Sequence, residues 1–490
     1  MSGASEENPP PARIRLTSGV SGLDDVLGGG LFAGGLYLLS GGPGTGKTVL
    51  ANQMCFAHAR DGGRCVFITM LSESHSRMIL NLHTFSFFDE GLMDRITYLS
   101  GVRVMREGGL AALADMIEDE VRRRGTSLLI LDGFRIGTRA AGATELEQTV
   151  FLNRLATLLE FSGCTALLCT LSPPGNVAPE HALADGLLEL SNRRVEYRSV
   201  RELYVVKLRG SNCLDGSHIM EIDERGLVVH PRTESKLARD LSIPGATGER
   251  LRFDIPGLDA MLHGGLFETS TTALIGATGA GKTLLGLHFL AAGARQQERS
   301  LYFGFNESPA RVVAQGDGVG LGLTALCESD WIDVIWRRPF ENYIDRLVEE
   351  LLDHVKRRNI RRLFIDGVEG MVRNSLFLDR MHAVFAALTN QLRAGGVTTV
   401  LSFESEIMGG HIVPSEPWSA LVENTLLLRY VELRSNLHRM LAIIKLRGSD
   451  FDSTLREFRI SNSGIVIEEA FESAQAVLSG MPKVDGGGRR

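Results

Sequence analysis

The sequence predicts an α/β protein that carries one fold twice in tandem, each copy a largely parallel central sheet flanked by helices with an antiparallel extension. Three observations predict this. GLDDVLGGGLFAGGLYLLSGGPGTGKT begins at Gly22, and its counterpart GLDAMLHGGLFETSTTALIGATGAGKT begins at Gly257. Later landmarks recur at nearly the same spacing: LLILD (Leu128 to Asp132) is answered by LFID (Leu363 to Asp366), and VVKLRGS from Val205 by IIKLRGS from Ile443. Between them, short apolar runs alternate with helical patterns, as in βαβ units. The repeat is domain-sized and far longer than a solenoid unit, so it is a tandem duplication.

Taken in order, residues 1–14 are rich in Pro, Glu and Ser and read as a disordered lead with no apolar signal region. The first domain is expected over 15–231. LYLLS (Leu36 to Ser40) is a short apolar run, the pattern of a strand buried on both faces. After Thr48, apolar residues such as Leu50, Met54 and Phe56 follow helical spacing. CVFITM (Cys65 to Met70) is strand-like, and LAALADMIEDEVRRRG from Leu110 is an amphipathic helix ending on basic residues and Gly125. LLILD and TALLCT (Thr165 to Thr170) are further buried strands. After Gly186 strands follow one another with turns and no helix, which predicts the antiparallel extension. Residues 232–248 are polar and hold Pro and Gly, so they read as a linker. The second domain is expected over 249–480, and 481–490 as a disordered tail.

The chain has 490 residues, 44% hydrophobic and 23% charged, which suits a globular protein with more than one core. A formal net charge of −7 argues against a dedicated nucleic-acid binder. The six cysteines form no C-x-x-C pair, so they read as core thiols of a reducing compartment. No apolar run approaches the ~18 residues of a membrane span. A cytoplasmic protein with no membrane partner is expected.

Two segments fit G-x-x-x-x-G-K-[ST]. The first is Gly41, Gly42, Pro43, Gly44, Thr45, Gly46, Lys47, Thr48; the second is Gly276, Ala277, Thr278, Gly279, Ala280, Gly281, Lys282, Thr283. Each follows a strand pattern and opens a helix. Such a loop turns successive N–H groups toward phosphate oxygens, and the helix adds its positive end. Lys47 and Lys282 would reach the β- and γ-phosphates of ATP, and Thr48 and Thr283 would ligate Mg²⁺. Asp132 and Asp366, each ending an apolar strand, are placed to hold Mg²⁺ through water. Glu73 and Glu307 follow the next strand pattern and are the candidates to activate the attacking water. Lys207 with Arg209, and Lys445 with Arg447, lie two apart in strand patterns and should share one face. Such a pair can stabilise phosphate charge across a subunit interface.

Together these elements resemble the KaiC family of RecA-like P-loop ATPases, from about Leu16 to Val484. The duplicated lead-in, both P-loops, both Asp strands, both KLRGS segments and the terminal ESAQAVLSG carry the resemblance. It implies an ATP-driven homo-hexamer of two stacked rings with nucleotide at the subunit interfaces. It implies that Lys207, Arg209, Lys445 and Arg447 reach the neighbour's γ-phosphate. It also implies slow ATP hydrolysis in the first domain and Ser/Thr autophosphorylation in the second, with a KaiB-like or histidine-kinase signalling protein as the candidate partner.

The chain departs from the family pattern in three places. Ser72 and Asn306 stand where the first Glu of a Glu-Glu pair serves as base, which leaves Glu73 and Glu307 as substitutes. The Ser-Thr phosphorylation pair aligns with Ser419-Ala420, leaving Ser419 as the single acceptor. Few residues follow Gly480, so KaiA-type regulation through a long tail is not expected. Two alternatives stay open on these residues: a DNA-repair ATPase of the same superfamily, and an ATP-sensing scaffold that does not turn over.

Overall fold

A computed structural model of the chain describes residues 14–70, 75–171, 179–195, 198–237, 248–338, 343–373, 377–405, 421–433 and 436–470. The chain divides into two compact units, Met1–Lys236 and Leu237–Arg490. Each is built on a nine-stranded sheet with a two-stranded ladder beside it.

In the first unit the strands run edge to edge as Ile96–Ser100, Cys65–Thr69, Leu128–Asp132, Thr165–Thr170, Leu36–Gly41, Gly186–Val195, Arg198–Leu208, Ser217–Asp223 and Gly226–His230. Pairing is parallel as far as Gly186–Val195 and antiparallel beyond it. The second unit repeats the order: Ile332–Trp336, Ser300–Gly304, Arg362–Asp366, Thr398–Glu404, Thr271–Gly276, Asn424–Leu433, Asn436–Leu446, Arg456–Ser461 and Gly464–Ala470. These are two tandem RecA-like α/β domains, the fold class the repeated segments predict.

The central strands are largely apolar because helices cover both faces of the sheet. Every residue of Leu36–Gly41, Cys65–Thr69, Leu128–Asp132 and Thr165–Thr170 is buried. On one face Phe67 and Ile130 pack with Phe56 and Met54 of the helix Lys47–Arg60. On the other, Ile68 and Leu131 pack with Leu113, Ile117 and Leu155 of the helices Gly101–Arg124 and Glu145–Ser162. Each such large side chain contributes roughly 1.5–3 kcal/mol.

The helix expected from Leu110 begins earlier, at Gly101, and Gly109 interrupts it with φ 64° and ψ −157°. It ends on Gly125 at φ 62°, the left-handed position a C-terminal glycine favours. The edge strand Ile96–Ser100 had no clear apolar run because it is half-buried after Ile96. Within the segment read as a linker, Thr233–Leu237 forms a short helix. Residues 1–13 of the lead, residues 238–247, the last part of the expected second domain (471–480) and the tail 481–490 lie outside the described residues.

Candidate nucleotide sites

In each unit the sheet delivers the P-loop at the C-terminal end of its central strand. Leu36–Gly41 leads through Gly46 (φ 107°) into the helix Lys47–Arg60, and Thr271–Gly276 leads through Gly281 (φ 104°) into Lys282–Arg295. No side chain caps either helix, so the first-turn N–H groups face the loop. Lys47 Nζ donates to the carbonyls of Gly41 and Gly42, both at 2.7 Å. Lys282 Nζ donates to those of Gly276 at 2.7 Å and Ala277 at 2.9 Å. Burial pushes both ammonium groups below their ordinary value; Cys169 and Asp132 oppose this at Lys47, and Glu404, Asp366 and Glu369 at Lys282.

The loop and the Asp strand meet in both units. Thr48 Oγ1 donates to Asp132 Oδ2 at 2.8 Å, and Thr283 Oγ1 donates to Asp366 Oδ2 at 2.9 Å. Residues 84 and 83 positions apart are thus joined at the same point of each fold. The donor set fits Mg²⁺. Hydroxyl and carboxylate oxygens suit a hard cation, and a threonine that gives its proton to Asp keeps a lone pair for the metal. Among the described residues no cluster of three or more His, Cys, Asp or Glu forms a metal cage. Magnesium in such sites takes few protein ligands and completes its shell with phosphate and water.

The second site holds more than the sequence indicates. Asp366 also accepts from Tyr302 Oη at 2.9 Å, and its Oδ1 accepts from Ser402 Oγ at 2.7 Å. Burial and the Asp366 carboxylate push the Tyr302 phenol far up, so it stays a donor. Thr278 Oγ1 of the P-loop donates to Glu404, and the Glu404 amide donates to Glu369 Oε1 at 2.7 Å. Glu404 ends the apolar strand Thr398–Glu404 as Asp366 ends its own, a signal the sequence did contain.

Glu307 is half-buried and accepts from Gln315 Nε2 at 2.5 Å. It lies near enough to Tyr302 to raise that phenol further. Asn306, at the expected base position, is exposed beside Gly367. Glu73 with Ser72, and Ser419, lie outside the described residues.

In the first unit the Lys–Arg pair does share one side, since Lys207 Nζ and Arg209 Nη2 both donate to the Ala182 carbonyl, at 3.4 and 3.1 Å, but the Arg of each pair lies beyond its strand. The strands end at Leu208 and Leu446, which puts Arg209 and Arg447 in the following turns. Ladder irregularities between Leu187 and Leu188 and between Thr425 and Leu426 precede them. Lys207 Nζ donates to the His181 carbonyl at 3.2 Å, and Arg209 Nη2 to Ala182 at 3.1 Å. Lys445 Nζ donates to the Val422 carbonyl at 2.7 Å. Burial, then the neighbouring guanidinium, pushes each lysine down.

These pairs sit toward the rim of the sheet opposite their own P-loops. The Arg209 amide bonds the Asp185 carbonyl, and Asp185 bonds the backbone of Leu36, where the P-loop strand starts. Arg447, Glu423 and Thr271 repeat the arrangement. Leu36 and Gly41 are five residues apart along the strand, roughly 16 Å at 3.3 Å per residue.

A family model described as "ATPase: KaiC" matches residues 16–234 and again 251–472. The circadian clock oscillator protein KaiC of a Picosynechococcus strain is 26% identical over 480 residues, covering 94% of this chain and 91% of its own length. KaiC 1 of a Synechocystis strain is 27% identical over 488 residues, covering 96% and 92%. KaiC of Synechococcus elongatus is 25% identical over 487 residues, covering 96% and 92%.

Proposed function

Because this chain belongs to the KaiC ATPase family, we propose that it is a two-site Mg²⁺-dependent ATPase with serine autokinase activity, acting as a homo-hexameric switch. The observation that carries the reading is the duplicated join of Thr48 to Asp132 and Thr283 to Asp366, each beside a P-loop lysine. Loop amides and the helix end take the phosphates. Lys47 and Lys282 exchange their carbonyl partners for β- and γ-phosphate oxygens, which a charged donor favours. Thr48 and Thr283 would hold Mg²⁺ directly and Asp132 and Asp366 through water. When bound, the cation neutralises charge building on the leaving phosphate.

The rim position of Lys207, Arg209, Lys445 and Arg447 supports their acting on a neighbouring subunit. About one strand length separates Arg209 and Arg447 from the loops of their own units, and a second copy of the chain brings them within reach. Glu307 accepts the proton of the attacking group in the second site and Glu73 in the first, with Ser419 as the phosphoryl acceptor. A KaiB-like or histidine-kinase signalling protein in the cytoplasm is the heterologous partner that fits this reading.

One observation favours a second reading. The Asn306 amide at the base position cannot take a proton, so a ring that binds ATP and senses it without turnover is the competitor. Incubation with γ-labelled ATP and Mg²⁺ separates the two. Label on Ser419 and in free phosphate supports the switch. Label that stays on ATP in a stable assembly defeats the enzyme and leaves the sensor.

A further inference from the structure

In the second site the metal-facing carboxylate is held from several sides: Asp366 receives three hydroxyl groups, from Thr283, Tyr302 and Ser402. Register explains the convergence. Tyr302 is level with Phe364, Gly304 with Asp366, and Val400 with Phe364 on the third strand. Tyr302 and Asp366 therefore share a face two residues apart, and the length of the phenol carries its hydroxyl up to the carboxylate. Gly304 leaves the room: a Cβ there would meet the Tyr302 ring at 2.4 Å and its hydroxyl at 2.6 Å. Ser402 fixes the turn beyond the strand as well, because its hydroxyl accepts from the Gly367 amide at 2.7 Å.

We propose that Tyr302, admitted by Gly304, and Ser402 are positioning residues that lock Asp366 in the orientation Mg²⁺–ATP requires, so that their loss raises the Mg²⁺ the second site needs. This deepens the two-site ATPase reading and rests on it. A carboxylate fixed by hydrogen bonds loses little freedom when the metal's waters bind it. Partners of this kind typically change metal affinity 10–100-fold when removed.

The test uses the full chain with Lys47→Ala, so that N-methylanthraniloyl-ATP fluorescence reports the second site during a Mg²⁺ titration. Tyr302→Phe with Ser402→Cys should raise the Mg²⁺ midpoint about ten-fold while affinity for the probe in EDTA is unchanged. Gly304→Ala should reproduce Tyr302→Phe and add nothing to it. An unchanged midpoint overturns the proposal. So does a fall in EDTA affinity equal to the fall in Mg²⁺, which marks lost packing instead of lost positioning. If the Lys47→Ala parent binds the probe with no Mg²⁺ dependence, the two-site reading fails first and the clamp falls with it.

Discussion

Lys47 and Lys282 each hold their ammonium group against two carbonyls of their own loop, a place that a phosphate would take over. Replacing either by Ala removes charge-assisted bonds worth about 1.5–3 kcal/mol each. Lys47→Ala and Lys282→Ala should therefore each weaken ATP binding at their own site ten-fold or more and leave the other site intact, which equilibrium binding to the two single variants would check. Glu307→Gln should lower second-site turnover roughly 10²-fold with little change in ATP affinity. A turnover equal to the parent would remove Glu307 from the chemistry. The residues of the P-loops and the two aspartates were legible in the sequence because each is tied to a local pattern: a glycine-rich turn between strand and helix, or an acid closing an apolar run. Tyr302, Ser402 and Glu369 were not, because what matters about them is set by register across three strands or by the short helix Val368–Arg373 after the Asp strand. Nothing in LYFG or VLSF says that a hydroxyl is aimed at Asp366.

At the scale of elements, two joints can be tested. Gly109 breaks the helix Gly101–Arg124 at φ 64° and ψ −157°, a conformation essentially reserved for glycine, and a Cβ there would meet nothing within 4 Å. Gly109→Ala thus costs backbone strain alone, about 1–3 kcal/mol, measurable as a lower urea midpoint with an unchanged slope. The helix Lys282–Arg295 is joined to the last strand through His288, whose Nε2 accepts from the Ile465 amide at 3.2 Å. Burial, helped by Arg295, lowers its pKa from 6.5 to about 4. The unfolded chain binds the proton first, so the full stability is present above pH 6.5 and falls as pH drops from 6.5 toward 4. The loss approaches about 3 kcal/mol, and His288→Gln, which keeps an acceptor without titrating, should flatten it in urea melts at pH 4.5 and 7. The central strands could be read from sequence because burial on both faces makes them largely apolar. The edge strand Ile96–Ser100 and the start of the helix at Gly101 could not, since half-buried and glycine-rich segments give no clear period.

For the whole molecule, the repeated landmarks made two domains legible, while the placement of the cation pairs depended on strand ends that spacing alone does not reveal. The like-charged pairs Lys207–Arg209 and Lys445–Arg447 stand toward the rim of each sheet opposite the phosphate loop. Replacing Lys207 and Arg209 together by Ala should cut first-site turnover at least 10²-fold while leaving ATP affinity of the dilute, unassembled chain unchanged. A parallel loss of affinity in that dilute chain would place the pair in its own site. The separation of the two rims has a genetic consequence. If the proposed ring forms, each catalytic centre is shared property, half inherited from one copy and half from the next. Two defective alleles, one lacking Lys47 and the other lacking Lys207 and Arg209, should rescue each other when co-expressed, because some junctions in a mixed ring unite an intact loop with an intact cation pair.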